Sequence, residues 1–174
     1  MFRPAGPRDA GALLRLKEQL DRETSFMLLE PGERDITVET LTRQLTRAEN
    51  SVVILAEVAG VLCGYVELTG GEFRRSRATA YLVMGVLSAA SGNGIGGALL
   101  GEAKRWAAAH GIHRIELTVM AHNERARGLY ERAGFAVEGR RAQCLVVDGE
   151  FVDEFYLAAL LSPAPAATGS ARNE

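Results

Sequence analysis

Ser88-Ala-Ala-Ser-Gly-Asn-Gly-Ile-Gly-Gly97 follows directly on an apolar, strand-like run over residues 78–87. It opens a helical pattern in which Ile95, Leu99, Ala103, Trp106 and Ala107 share one face. A glycine-rich turn between a strand and a helix lets backbone N–H groups come close to an anion, and the helix N-terminus adds partial positive charge. The ligand class implied is a phosphate or diphosphate, although glycines here also serve a plain strand-to-helix turn. A P-loop would need Lys followed by Ser or Thr after the last glycine, whereas Gly97 and Ala98 follow Gly96. A dinucleotide-binding fold usually carries its fingerprint after an early strand, and here several elements precede it. Nucleotide hydrolysis and hydride transfer both lose ground.

Upstream, residues 2–7 can hold a short strand weakened by two prolines. A helix follows, with Leu13, Leu16 and Leu20 at helical spacing and Asp9 as its N-cap. Residues 24–35 read as a loop with a Pro-Gly breaker, and a second helix is expected from Thr37 to about Ala48. Residues 51–58 and 61–69 are rich in β-branched side chains around Ala59-Gly60 and read as an antiparallel hairpin. Downstream of the turn, Gly111 closes its helix, residues 114–120 form a strand, and Asn123 caps a short helix that Gly134 ends. A strand begins at Phe135, and a loop leads into a terminal hairpin of residues 143–147 and 151–161 around Asp148-Gly149.

Strands pair antiparallel first and alternate with helices from residue 78 to 140. The expected fold is therefore a single-domain α/β mixed sheet, mostly antiparallel, with a central parallel step and helices on both faces.

The chain has 174 residues, 47% of them hydrophobic and 24% charged, the balance of one ordinary globular domain. Lys and Arg total 20 against 22 Asp and Glu, so no overall cationic field favours nucleic acid. Cys63 and Cys144 lack metal-ligand spacing, no apolar run reaches a membrane span, and no leader opens the chain. Nucleic-acid and membrane partners are therefore not expected, and a cytoplasmic location is. Residues 1–161 are expected to be the domain and residues 162–174 a disordered tail.

The stretch Val86-Leu-Ser-Ala-Ala-Ser-Gly-Asn-Gly-Ile-Gly-Gly-Ala-Leu-Leu100 resembles the acetyl-CoA signature of the GNAT N-acetyltransferase superfamily. Its core pattern is Gln or Arg, two residues, Gly, one residue, and Gly or Ala. A second stretch, Asn123-Glu-Arg-Ala-Arg-Gly-Leu-Tyr-Glu-Arg-Ala-Gly-Phe135 followed by Glu138-Gly139, is similar to the family's Asn, Ala, Leu-Tyr, Gly-Phe, Glu-Gly series. The likeness extends over roughly residues 2–161, and its specificity lies in 78–139. Ser91 departs from it, standing where the family has Gln or Arg, and Ser88 stands at a common proline position.

The resemblance implies an acetyl-CoA-dependent N-acetyltransferase that moves acetyl to a primary amine of a small molecule or protein by direct attack on the thioester. The other reading is an acyl-CoA sensor that keeps the fold without turnover. The coenzyme loop would comprise Ser91, Gly92, Asn93, Gly94, Ile95, Gly96 and Gly97, with a backbone N–H around Val86 or Leu87 polarising the thioester carbonyl. Tyr130 would protonate the leaving thiolate or else pack on its helix stripe, and Asn123 would cap the helix, contact the coenzyme, or do both. Many family members place a glutamate base on the strand matching residues 78–87, which here holds no carboxylate. Glu67 and Glu116 are the nearest substitutes, a water chain being the alternative. The loop bearing Phe26, Met27, Leu28 and Glu33 would line the acceptor site. No metal is implied, the three histidines are given no role, and a homodimer is compatible with such a sheet.

Overall fold

Seven strands form one sheet in a computed structural model that describes residues 1–47 and 50–161. The β-branched run at Ser51–Val58 (β2) pairs antiparallel with Val61–Gly70 (β3), and β1 (Phe2–Pro4) adds the outer edge. The turn between β2 and β3 puts Ala59 at φ +50° and Gly60 at φ +78°, both in the left-handed region a two-residue hairpin turn requires. β4 (Thr79–Val86) continues antiparallel on β3. β5 (Arg114–Met120) lies parallel to β4, and β7 (Glu150–Leu160) and β6 (Ala136–Val147) complete the order β1-β2-β3-β4-β5-β7-β6.

The expected mixed sheet with one parallel step is thus present, and helices cover both faces. Leu13, Leu16 and Leu20 of α1 (Ala10–Glu23) and Leu41 of α2 (Val38–Arg47) bury against Val53, Leu55 and Tyr65. On the opposite face, Leu99, Leu100, Ala103 and Ala107 of α3 (Ile95–Ala109) pack on Val66, Leu68, Leu82, Ile115 and Leu117. α4 (Glu124–Arg132) joins that layer through Tyr130, and Gly111 and Gly134, at φ +73° and +81°, stand just beyond α3 and α4. No helix among the described residues is long and apolar enough to cross a membrane.

Two expectations change. Asp9 stands at the N-cap position of α1 in helical backbone and makes no side-chain cap bond. Its carboxylate instead accepts the Gly6 N–H at 2.7 Å and both Arg3 terminal nitrogens at 2.8 Å, and the Arg3 guanidinium lowers its pKa. The loop expected before the terminal hairpin is part of β6, which stays paired with β7 by absorbing two register shifts. Gln143, at φ +50°, takes the strain of one bulge and donates its N–H to Asp153 at 2.6 Å. The expected end of α2 at about Ala48 and the expected tail at residues 162–174 lie outside the described residues.

The loop between α1 and α2 is tied down by a buried ion pair. Arg34 donates to both oxygens of Asp21, at 2.7 and 2.8 Å, and the Asp21 side chain is only 2% exposed. Arg34→Ala would leave that carboxylate buried without a partner, and a loss of about 3 kcal/mol is expected in denaturant unfolding.

Candidate active site

β4 and β5 pair over three residues only, Thr79 with Arg114 to Tyr81 with Glu116, and then part. A hydrogen bond between the Tyr81 hydroxyl and Thr118 Oγ1, at 2.9 Å, links the strands at the fork. Beyond it the backbone groups on the facing edges have no strand to pair with. The Leu87 N–H donates to Cys63 O at 2.8 Å, toward β3, so alternation along β4 turns the N–H groups of Met84 and Val86 toward the gap. Of the two positions named for polarising a carbonyl, Leu87 is therefore committed elsewhere and Val86 has its N–H on the open side.

The gap widens into a cleft of about 900 Å³. Its lining joins the outer half of β4, the end of β5, the turn before α3, one face of α4 and the loop after α1. Ser91, Gly92, Gly94, Ile95, Gly96 and Gly97 all reach it. Gly92 and Gly94 lie at φ +86° and +76°, and Gly94 is the N-cap of α3 without any side-chain cap bond. The first N–H groups of α3 have no intrahelical partner, which is the arrangement that favours an anion. Asn93 turns away, its Nδ2 donating to Ala90 O at 3.3 Å, and it is not among the lining residues. Gly96 serves packing: a Cβ there would stand 3.0 Å from Leu129 Cδ2, so its lack of a side chain lets α4 close on α3.

Tyr130 projects from α4 into the cleft lining while its ring meets Phe135 edge-on at 5.8 Å between centroids. It is 8% exposed, and burial raises its hydroxyl pKa well above the ordinary tyrosine value, so the group remains protonated near neutrality. Packing and cleft exposure thus coexist in one residue. Asn123 does cap α4, its Oδ1 accepting the Ala126 N–H at 3.1 Å, and it also lines the cleft.

The two carboxylates named as base candidates stand outside the cleft lining. Glu67 accepts from Lys17 Nζ at 2.6 Å on the face covered by α1. Glu116 pairs with Arg114 at 2.9 Å and lines a smaller adjoining cavity of about 240 Å³, which shares Tyr81 with the main cleft. Phe26, Met27 and Leu28 form a cleft wall, Phe26 lying 5.1 Å from the His122 ring, whereas Glu33 accepts the Glu30 N–H at 2.8 Å within its own loop, away from the lining.

Sequence reading missed several cleft residues. Glu23 ends α1 and accepts the Ser88 N–H at 3.0 Å, a bond that holds the α3 turn and lowers its own pKa. Glu154, nearly buried, pairs with Arg141 at 2.7 Å, and both line the cleft. Arg125 and Arg132, seven residues apart on α4, do so as well, and that spacing was the legible signal. Among the described residues no group of three or more His, Cys, Asp or Glu side chains is placed to hold a metal ion.

A sequence model of the acetyltransferase (GNAT) family matches residues 15–135. A mycothiol acetyltransferase from Beutenbergia cavernae is 44% identical over 61 residues, 35% of this chain and 20% of that protein, so the chain spans about a fifth of this curated relative. The crystal structure of a GNAT-family acetyltransferase from Streptococcus pneumoniae superposes with a TM-score of 0.88 at 30% identity, covering 93% of this chain and 99% of that one. A putative acetyltransferase from Salmonella typhimurium, solved with its cofactor acetyl-CoA, shares the fold with a TM-score of 0.82 at 22% identity, covering 96% and 98%. The chain belongs to the acetyltransferase (GNAT) family, a family of acyltransferases.

The two neighbouring glycines separate packing from ligand space. Gly96→Ala forces Leu129 to move and is expected to cost about 1 to 3 kcal/mol in chemical unfolding. A Cβ on Gly97 meets nothing within 4 Å, so Gly97→Ala is expected to stabilise the helix by about 0.5 kcal/mol.

Proposed function

We propose that this chain transfers the acetyl group of acetyl-CoA to a primary amine, on a small molecule or a protein, by direct attack on the thioester. The observation that supports this best is the meeting, in one cleft, of an unpaired β4 edge, a glycine turn at a helix N-terminus and a protonated tyrosine. Acetyl-CoA supplies the activated acyl group and a thiol leaving group; the protein supplies position, polarisation and protons.

The Gly92 and Gly94 turn and the free N–H groups at the start of α3 hold the diphosphate by direct hydrogen bonding and helix-end charge. The exposed edge of β4 aligns the amide-bearing arm much as an added strand would, with the Val86 N–H directed at the carbonyl oxygen. Asn123 has Nδ2 free of any partner among the described residues and offers it to the same arm. Tyr130 delivers its proton to the departing sulfur.

Deprotonation of the incoming ammonium falls to water in the open cleft, with Glu116 the better placed of the two carboxylates because its cavity adjoins the cleft at Tyr81. Glu67 is held by Lys17 and keeps a packing role. Phe26 and Met27 form the apolar wall of the acceptor site. Residues 1–161 act as one catalytic domain, and the free thiols Cys63 and Cys144 suit a reducing cytoplasm.

Calorimetric titration with acetyl-CoA and desulfo-CoA, followed by thiol release across an amine panel, tests the reading. Binding with amine-dependent release is expected. Binding without release on any amine would assign a sensor, and no binding would remove the proposal.

Tyr130→Phe is expected to lower kcat about 10²-fold or more with acetyl-CoA affinity nearly unchanged. Because burial favours the protonated phenol, the wild-type kcat profile is expected to show no basic limb at the ordinary tyrosine value of 10.0. A Tyr130→Phe enzyme with wild-type kcat across the pH range would take the acid role from Tyr130.

A further inference from the structure

Two carboxylates among the described residues line the cleft, Glu23 and Glu154, and they differ in how they are engaged. Glu23 is occupied on both oxygens: one accepts the Ser88 N–H at 3.0 Å and the other the Gln19 side-chain amide at 2.7 Å. Glu154 of β7 is held on one oxygen only. Arg141 Nη1, at 2.7 Å, and Cys144 Sγ, at 3.6 Å, both donate to Oε2, while Oε1 has no partner among the described residues. No fully buried side-chain oxygen among them lacks a partner, so Oε1 is the atom that Glu154 presents to the open cleft. Arg141 and Cys144 are the charged or titratable groups that meet Glu154, both from β6, and Met120, its neighbour on β5, carries no charge.

Strand register sets where that oxygen stands. β4 and β5 part after Tyr81 and Glu116, so Val83 with Thr118, and Gly85 with Met120, hold matching levels on the two sides of the gap. Met120 pairs directly with Glu154, which puts Glu154 one strand spacing, about 4.8 Å, behind the β5 edge and near the level of the Val86 N–H. Opposite residues of an antiparallel pair share a sheet face, so Glu154 lies on the face of Met120, Thr118 and Tyr81. Tyr130 reaches the gap from the other face, where it packs in the layer of Leu117 and Val119. A proton donor and a free carboxylate oxygen therefore flank the gap from opposite faces of the sheet. Glu116 stands at the last paired position, before the gap opens, and is held by Arg114 at 2.9 Å.

We infer that Glu154 Oε1, with the carboxylate oriented by Arg141, is the proton acceptor for the incoming ammonium, reached through one water of the cleft. The inference rests on the transferase reading above and gives its proton a destination. The ammonium proton passes through the water to Oε1, and the neutral nitrogen forms the C–N bond at the thioester carbonyl carbon. The C–S bond breaks, the thiolate takes the Tyr130 proton, and the nitrogen sheds its surplus proton to the Tyr130 oxygen. Glu154 returns its proton to solvent when the amide leaves.

The test is thiol release with the fastest amine of the panel, read as kcat/KM from about pH 6 to 9 for wild type, Glu154→Gln and Glu154→Asp, with unfolding midpoints and acetyl-CoA affinities measured alongside. Wild type is expected to hold a plateau, because it deprotonates bound ammonium. Glutamine keeps an oxygen for Arg141, so a midpoint and an acetyl-CoA affinity near wild type are expected. Its kcat/KM is expected to fall about 10²-fold or more near neutrality and to climb about tenfold per pH unit, since it can use only amine already deprotonated in solution. Glu154→Asp keeps the charge but withdraws it by one methylene, and is expected to hold the plateau at a rate about tenfold lower. A Glu154→Gln enzyme with wild-type kcat/KM and plateau would make Glu154 a structural partner of Arg141, overturning the inference while the transferase reading stands. Should Glu154→Gln fail to fold, a wild-type rate in Glu154→Asp would overturn it equally. Absence of amine-dependent release from wild type would overturn both.

Discussion

Backbone N–H and C=O groups that leave a β-ladder must find another partner or water. The parting of β4 and β5 after Tyr81 and Glu116 creates that need along two facing edges in the middle of the sheet. Everything else in the cleft is arranged around it. The parallel step forces a crossover through α3, which puts a helix N-terminus at the end of β4. The next crossover returns through β5 and α4, which brings Asn123 and Tyr130 to the same opening.

The walls are held by contacts that owe little to one another. On the α1 face, Lys17 joins the helix to Glu67 of β3, and Arg34 ties the loop that follows the helix back to the buried Asp21 of α1. At the far end of α1, Glu23 reaches the Ser88 N–H and couples that helix to the coenzyme turn. On the opposite face the fit is apolar, and the absence of a side chain at Gly96 sets how closely α4 approaches α3. Burial against Phe135 then does two things to Tyr130. It fixes the ring, and it keeps the hydroxyl protonated.

The strand and helix pattern was legible because each element carries its own period and its own stop. The stretch at residues 114–119 alternates and belongs to β5; Gly111 and Gly134 are left-handed where helix ends require it. Asn123 announced its capping role by position, and its Oδ1 performs it. The reading of β6 as an interrupted strand fell short because a bulge looks like a loop in one dimension. Gln143 is unfavourable in isolation, and its strain is tolerated only because Asp153 and the rest of β7 hold it. Asp9 holds the N-cap position but not the capping bond for a similar reason: an acid before a helix caps it unless an arginine such as Arg3 arrives from another element.

By itself the sequence determined the fold class, the order of its elements and the glycine turn, since these depend on local periodicity and on backbone freedom at particular residues. It also carried both signatures of the acetyltransferase family. Only the tertiary structure decided which face each charged side chain meets and which backbone groups are left unpaired. It committed Glu67 to Lys17, gave the Leu87 N–H to Cys63, and brought Arg125 and Arg132 of α4 into the lining of the cleft. Those outcomes depend on strand register and helix packing, which join residues distant in the chain and leave no mark in local spacing.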